Sequence, residues 1–220
     1  MMQGMTRYLD LDTWPRRAAF DYFRRFDKPY FNVCTRIDVA ALKAAVAGSG
    51  GGISLACAYL ALQLANAAEP FRLRLEAGRV RVYEAVQGST TVLRDDESIA
   101  FAYLDPAGGW RDFMASAQAS IAAARDPRSS FDPRLDDPAL IHLTSLPWVH
   151  FTSFSHARNW GREDSVPKLA FGRLAAEGER LWMPLSVEVH HGLMDGLHVG
   201  RYIEAFEAAA AAPADWLAQP

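Results

Sequence analysis

LWMPLSVEVHHGLMDGLHVGRYIEAF, from Leu181 to Phe206, decides how the rest of the chain is read. Its first half alternates. Leu181, Met183, Leu185, Val187 and Val189 share one parity, while Ser186, Glu188 and His190 share the other, the period of a strand with one apolar face. Its second half changes period: Val199, Tyr202, Ile203, Phe206 and Ala210 form the apolar stripe of a helix. Between the two lie a histidine pair, a short turn and Asp195-Gly196. Parity puts His191 with the apolar set and His190 with Ser186 and Glu188, so only His191 is expected to point where a desolvated pocket can form. A histidine at a strand end is commonly packed or solvated, and a lone Asp-Gly is commonly a turn. The functional alternative is that His191 and Asp195, spaced as HxxxDG, act together. The same pattern begun at His190 meets Met194-Asp195 where Asp-Gly is needed, so only His191 fits.

Bulk composition narrows the functions. A chain of 220 residues reads as one domain, 1–220, with room for a sizeable core. A formal net charge of −3 gives no electrostatic case for nucleic acid. No apolar run approaches the ~20 residues of a membrane span. The N-terminus, MMQGMTRYLDLD, has neither the charged nor the apolar region of a secretory signal. Cys34 and Cys57 sit far apart in apolar surroundings and read as reduced thiols of a cytoplasmic protein, with no metal site between them.

HHGLMDGLHVGRYIEAF resembles the HHxxxDGxHV signature of the chloramphenicol acetyltransferases. More distantly, it resembles the HxxxDG site of dihydrolipoyl acyltransferase cores, nonribosomal condensation domains and carnitine acyltransferases. Other blocks lie in that family's order. TSLPWVHFTSF (Thr144 to Phe154) is similar to its Ser-x-x-Pro-Trp-Val-x-Phe block, WPRRAAFDYF (Trp14 to Phe23) to its Trp-x-Arg helix, and EPFRLRLEAGRVRVYEAV (Glu69 to Val86) to its central hairpin. Together they cover nearly the whole chain.

Taken in order, Thr13 is placed to cap a helix with Pro15 in its first turn, and PYFNVCTRID reads as a strand. Val39 to Val46 and the Ala- and Leu-rich Ile53 to Ala67 read as helices, joined by the flexible connector Gly48-Ser-Gly-Gly-Gly52. That connector lacks the Gly-Lys-Ser/Thr ending of a phosphate loop. Phe71 to Val86 is a hairpin turning at Ala77-Gly78. Its Arg72, Arg74, Arg79 and Arg81 read as a solvated sheet face, with a seat for coenzyme phosphates as the alternative. Strands follow at Thr90–Leu93 and Ile99–Leu104, then a helix over Trp110–Ala124. Arg128–Asp137 and Ser155–Pro167 read as loops. Leu140–Leu146, Leu169–Leu174 and Arg180–Val189 complete the strands. This irregular alternation predicts an α+β fold, a two-layer sandwich with a mixed sheet. The resemblance implies the same fold, and also a homotrimer with active sites at subunit interfaces.

Acyl transfer from a thioester to a hydroxyl needs a base, a donor for the developing oxyanion, and walls that hold both substrates and exclude water. A neutral imidazole suits the first task, which falls to His191. The resemblance implies the rest. Thr144 stands where the family usually carries the oxyanion-donating Ser, with Ser145 as the fallback. Asp195 and Arg16 stand where the family has a structural ion pair. Phe23, Asp27, Phe31, Phe154 and His156 stand around the acceptor; chloramphenicol enzymes carry Tyr at the position of Phe23 and Leu at those of Asp27 and His156. Arg173 and Trp148 stand around the coenzyme, while Ser54 and Leu174 replace the aromatics that flank its adenine. The implied function is acetyl-CoA-dependent O-acetylation of chloramphenicol, an antibiotic-inactivating reaction needing no metal. The alternatives are the same reaction on another hydroxylated small molecule, and a binding module without turnover.

Overall fold

The strand and helix of Leu181–Phe206 form as their periods require. In the computed structural model, which describes residues 7–134, 137–158 and 164–218, Arg7–Tyr8 (β1) and Arg17–Phe23 (α1) precede a long strand, Tyr30–Asp38 (β2). Helices Ala40–Ala45 (α2) and Gly52–Ala67 (α3) follow, and a 3-10 turn at Glu69–Arg72 leads into the hairpin Leu73–Glu76 (β3) and Arg79–Val82 (β4). The middle of the chain holds Gln87–Leu93 (β5), Ile99–Leu104 (β6), Trp110–Arg125 (α4) and Leu140–Leu146 (β7). Lys168–Gly172 (β8), Ala175–Glu177 (β9), Arg180–His190 (β10), Gly196–Ala211 (α5) and Ala214–Leu217 (α6) close it. Parts of two expected loops, 135–136 and 159–163, lie outside the described residues.

Seven strands form the main sheet in the order β2-β10-β8-β7-β5-β6, with β9 also on β10. The β5–β7 and β7–β8 pairs are parallel and the rest antiparallel, so the sheet is mixed and the expected α+β sandwich is what forms. Met183, Leu185, Val187 and Val189 of β10 lie in the main core, together with Ile141 and Leu143 of β7 and Leu169 and Phe171 of β8. Helices α2, α3 and α5 supply the facing layer: Leu42, nine buried residues of α3, and Val199, Tyr202 and Phe206 of α5. Burial on nearly every side explains why α3 is rich in Ala and Leu with almost no polar stripe. Among the described residues no helix is long and apolar enough to cross a membrane.

The opposite face of the sheet corrects one expectation. Ser186, Glu188 and His190 were the polar face of β10, yet all three are buried. Strand register lines up Ser89, His142, Lys168, Glu188 and Asn32 as neighbours across five strands. Residues 151–158 and 164–166 cover this polar row, with Arg158 reaching Glu188 at 2.7 Å and Lys168 reaching Asp164 at 3.0 Å. Parity gave the direction of these side chains; the loop decides their burial.

A second, three-stranded sheet, β1-β4-β3, packs with α1 around a smaller core of Phe20, Leu73, Val80, Val82 and Leu193. Its hairpin turns at Ala77 (φ 49°) and Gly78 (φ 76°), the pair of positive φ values that a two-residue hairpin of primed type needs. The arginine face is corrected here. Arg74 is fully buried and donates to the carbonyls of Phe71, Leu73, Pro138 and Leu140; burial pushes its pKa down to about 9. It is a structural clamp, neither solvated nor free for phosphate. Thr13 does not cap α1 either: its hydroxyl bonds Asp10, and the helix begins at Arg17.

Candidate active site

The turn after β10 is held from both cores. Leu193 enters the small core and Met194 the main one, which leaves His191 and Asp195 half-buried at the junction. The His191 backbone is fixed at each end: its N–H donates to Pro29 O at 2.7 Å, and Arg16 Nη2 donates to its carbonyl at 3.2 Å. Its ring lies face to face with Phe23, centroids 3.7 Å apart and planes 9° from parallel, with Phe31 at 4.6 Å. Nδ1 lies 3.2 Å from Met194 O. A carbonyl only accepts, so this contact commits the proton to Nδ1 and leaves the Nε2 lone pair free.

Arg16 and Asp195, 179 positions apart, form an ion pair. Asp195 is also the N-cap of α5, accepting from Leu197 N at 3.1 Å, and its carboxylate lies 2.8 Å from His198 Nδ1. Partial burial pushes the Asp195 pKa up, but Arg16 and His198 outweigh it, so the carboxyl sits below its ordinary value. It is ionised at neutral pH and suited to bracing rather than to proton donation. The His198 contact went unread in the sequence, although Asp-x-x-His repeats the spacing of a capping box.

His190 is buried. Its Nδ1 accepts from Gly192 N at 3.1 Å, and its ring lies edge-on to Tyr30. A Cβ on Gly192 would come within 3.0 Å of that ring, so glycine permits the close approach. Burial, with Arg158 second, pushes the His190 pKa down to about 4; burial, with Lys168 second, does the same to His142. Burial also pushes Glu188 up, but His156 and Arg158 outweigh it and hold the carboxyl at about 2. Glu188 therefore stays ionised while the two histidines titrate. Unfolded histidines take protons near pH 6.5, whereas these take them only near pH 4. Their contribution is thus full above about pH 6.5 and falls by about 1.4 kcal/mol per histidine per pH unit on the way down. Tm should drop steadily between pH 6.5 and 4.5; a flat Tm over that range would show both rings already exposed.

Thr144 lies elsewhere. With Ser145, Trp148 and Arg173 it lines a cavity of about 570 Å3 whose walls include Leu143, Phe171 and Met183. Ser54 and Leu174, the residues standing for the adenine-flanking aromatics, line the same cavity, and Arg125 of α4 adds a second guanidinium. Trp148 is 63% exposed. Cys57 also lines this cavity, and burial pushes its thiol up to about 12, so it stays protonated and is no nucleophile. Among the described residues no group of three or more His, Cys, Asp or Glu could hold a metal ion.

The remaining candidates divide. Phe23 and Phe31 touch the His191 ring. Phe154 and His156 stack edge to face at 4.7 Å in the roofing segment, where His156 Nδ1 lies 3.7 Å from Glu188. Asp27 is exposed in the turn after α1. Register gives the distance between the two halves. Thr144 pairs with Ala170, and Ala170 with Ser186, five residues short of His191. At about 4.8 Å per strand and about 3.3 Å per residue, Thr144 and His191 are about 19 Å apart, beyond the reach of two side chains on one hydroxyl within a single chain.

Comparison with known proteins agrees with this fold and motif. The family model for chloramphenicol acetyltransferase matches residues 5–207. The chain belongs to the chloramphenicol acetyltransferase family. A chloramphenicol acetyltransferase of Streptomyces acrimycini is 33% identical over 214 residues, covering 95% of this chain and 96% of its own length. Chloramphenicol acetyltransferase 2 of Escherichia coli is 27% identical over 200 residues, covering 90% and 94%. A solved chloramphenicol acetyltransferase superposes with a TM-score of 0.85 at 23% identity, covering 97% of this chain and all of its own. The Azotobacter vinelandii dihydrolipoamide acetyltransferase reaches 0.65 at 18% identity, covering 91% and 88%. These two likenesses speak to fold alone. Family membership makes the chain an acyltransferase.

Proposed function

We propose that the chain, acting as one domain, is an acetyl-CoA-dependent O-acetyltransferase that inactivates chloramphenicol. The observation that carries this reading is the committed tautomer of His191 within the family motif: Nδ1 on Met194 O, Nε2 free to take a hydroxyl proton. As that proton moves to Nε2, the acceptor oxygen bonds the acetyl carbon. The Thr144 hydroxyl donates to the carbonyl oxygen, where charge develops. The C–S bond then breaks, and His191 returns the proton to the departing thiolate. Phe23, 3.7 Å from the imidazole, offers its ring face to the imidazolium that forms between these steps. Acetyl-CoA supplies the acetyl group and the thiol leaving group. The apolar cavity beside Trp148, with guanidiniums of Arg173 and Arg125 at its lining, suits a long thioester arm ending in phosphates.

The separation of His191 from Thr144 supports a site shared between copies in a homotrimer, with one copy giving His191, Phe23 and Phe31 and its neighbour giving Thr144 and the cavity. Exposed apolar side chains border both halves: Tyr22 and Phe26 beside Phe23, Trp148 and Val149 beside the cavity. Such patches fit burial in an interface. Free Cys34 and Cys57 support a reducing, cytoplasmic setting. His156, polar and buried against Phe154, favours a second reading in which the acceptor is a more polar alcohol.

Free-thiol release from acetyl-CoA, measured with chloramphenicol against a panel of other alcohols, tests the reaction and separates the two readings. Thr144→Ala should lower kcat about 10²-fold while Thr144→Ser keeps most activity. If Ser145→Ala is the damaging change instead, the donor is the neighbouring hydroxyl.

A further inference from the structure

The cavity beside Thr144 has a direction. Thr90 of β5 pairs with Leu143 of β7, so the next residues along the two parallel strands, Thr91 and Thr144, stand level. Helix α4 runs beside β5 in the same sense. Ser120 Oγ accepts from the N–H of Tyr103, which pairs with Ser89, and Arg94, just past the end of β5, donates to Ala124 O. Ile121 packs with Val92 and lines the cavity near the level of Thr144, while Arg125, four residues on, lines it about 6 Å further out. An aliphatic contact followed by a guanidinium is the order needed along a pantetheine arm that runs outward from a reacting thioester to its first phosphate. On the other side of β7, Gly172 pairs with Leu146, and Arg173 and Leu174 follow it beside the exposed ring of Trp148. That side offers a flat apolar surface to a base.

Charge at this mouth has one sign. Arg125 and Arg173 are exposed, and neither makes an ion pair among the described residues. No carboxylate is among the lining residues. Ile53 and Ser54 of the first turn of α3 line the same cavity, and that turn has neither a side-chain cap nor an acidic residue, so it adds partial positive charge. The negative end of α4 is met by Arg94 on Ala124 O. We propose that Arg125 seats the phosphate that joins the pantetheine arm, leaving Arg173 to the nucleoside end. The cavity then holds 4′-phosphopantetheine thioesters, which stop at that phosphate, as well as acetyl-CoA. This assignment rests on the acetyl-CoA reading and deepens it.

The test is calorimetric titration, under reducing conditions, of the wild type, Arg125→Gln and Arg173→Gln with pantetheine, 4′-phosphopantetheine, 3′-dephospho-CoA and CoA. The wild type should bind 4′-phosphopantetheine at least about tenfold more tightly than pantetheine, the scale of one charged phosphate contact. Arg125→Gln should erase that step, weakening 4′-phosphopantetheine, 3′-dephospho-CoA and CoA by a similar factor and leaving pantetheine unchanged. Arg173→Gln should keep the step, and Arg125→Lys, which retains the charge, should restore most of it. A step of wild-type size in Arg125→Gln overturns the seat. So does a loss confined to CoA, which would put Arg125 on the 3′-phosphate. A wild type that binds none of the four sinks the acetyl-CoA reading along with the seat, whereas tight CoA binding that ignores Arg125→Gln sinks the seat alone.

Discussion

Replacing His191 by alanine is expected to lower kcat at least about 10²-fold while leaving Tm close to wild type. The ring is half-buried, and among the described residues it gives up a 3.2 Å contact to Met194 O and its contacts with Phe23 and Phe31, a smaller loss than that of a fully buried ring. The neighbouring histidine should behave in the opposite way. His190→Ala removes a buried ring and strands the Gly192 N–H that it accepts, a cost of about 1–3 kcal/mol. Its Tm should fall, while kcat per folded molecule stays within about tenfold of wild type. Comparable kcat loss in the two variants would sink the assignment of the base. A mixing experiment adds a result that no single-chain site can give. His191→Ala and Thr144→Ala, each inactive alone, should regain activity when co-assembled. With random mixing, an interface is whole when one neighbour gives His191 and the other Thr144, in about one quarter of cases. No recovery after subunit exchange would mean that each chain carries a complete site.

How much of this could be read in advance follows from the kind of signal each residue leaves. The strand parity of Leu181 to Val189 and the stripe from Val199 to Ala210 are local and periodic, and both ended in the main core. Asp195 at the start of α5 was legible for the same reason, since an acidic residue before an apolar stripe is a cap. Burial of the polar face of β10 was not legible. It depends on a loop some thirty residues upstream in sequence, and parity carries no information about what covers a face. Arg74 failed likewise: alternation in a hairpin says which residues share a side, but the carbonyls of Pro138 and Leu140 that satisfy its guanidinium come from another part of the chain. His198 was missed because a capping box is looked for with Glu or Gln at its third position. The gap of about 19 Å between His191 and Thr144 needed strand order, which no motif encodes.

Arg16 and Asp195 should prove energetically coupled, with Asp195 acting as a brace. Asp195→Asn and Arg16→Val are each expected to lower both Tm and activity, and the double variant should lose less than the sum of the two. A fully buried pair broken on one side costs about 3–5 kcal/mol. Here 37% of the Asp195 side chain and 16% of Arg16 are exposed, so solvent takes up part of the stranded charge and about 1–3 kcal/mol is expected for each single change. The sign with pH follows from the lowered Asp195 pKa. Its contribution is present above the ordinary carboxylate pKa and is lost as pH falls through the folded value, so the wild type and Asp195→Asn should converge in Tm in acid. Activity should fall through geometry. Arg16 ties Asp195 to the His191 carbonyl, and a displacement of about 1 Å at a reacting group can cost about 10²-fold. The kcat of Asp195→Asn should therefore drop with the midpoint of its pH–rate profile unmoved. A displaced midpoint at native stability would instead make Asp195 part of the proton chemistry, and strict additivity of the two substitutions would dissolve the pair.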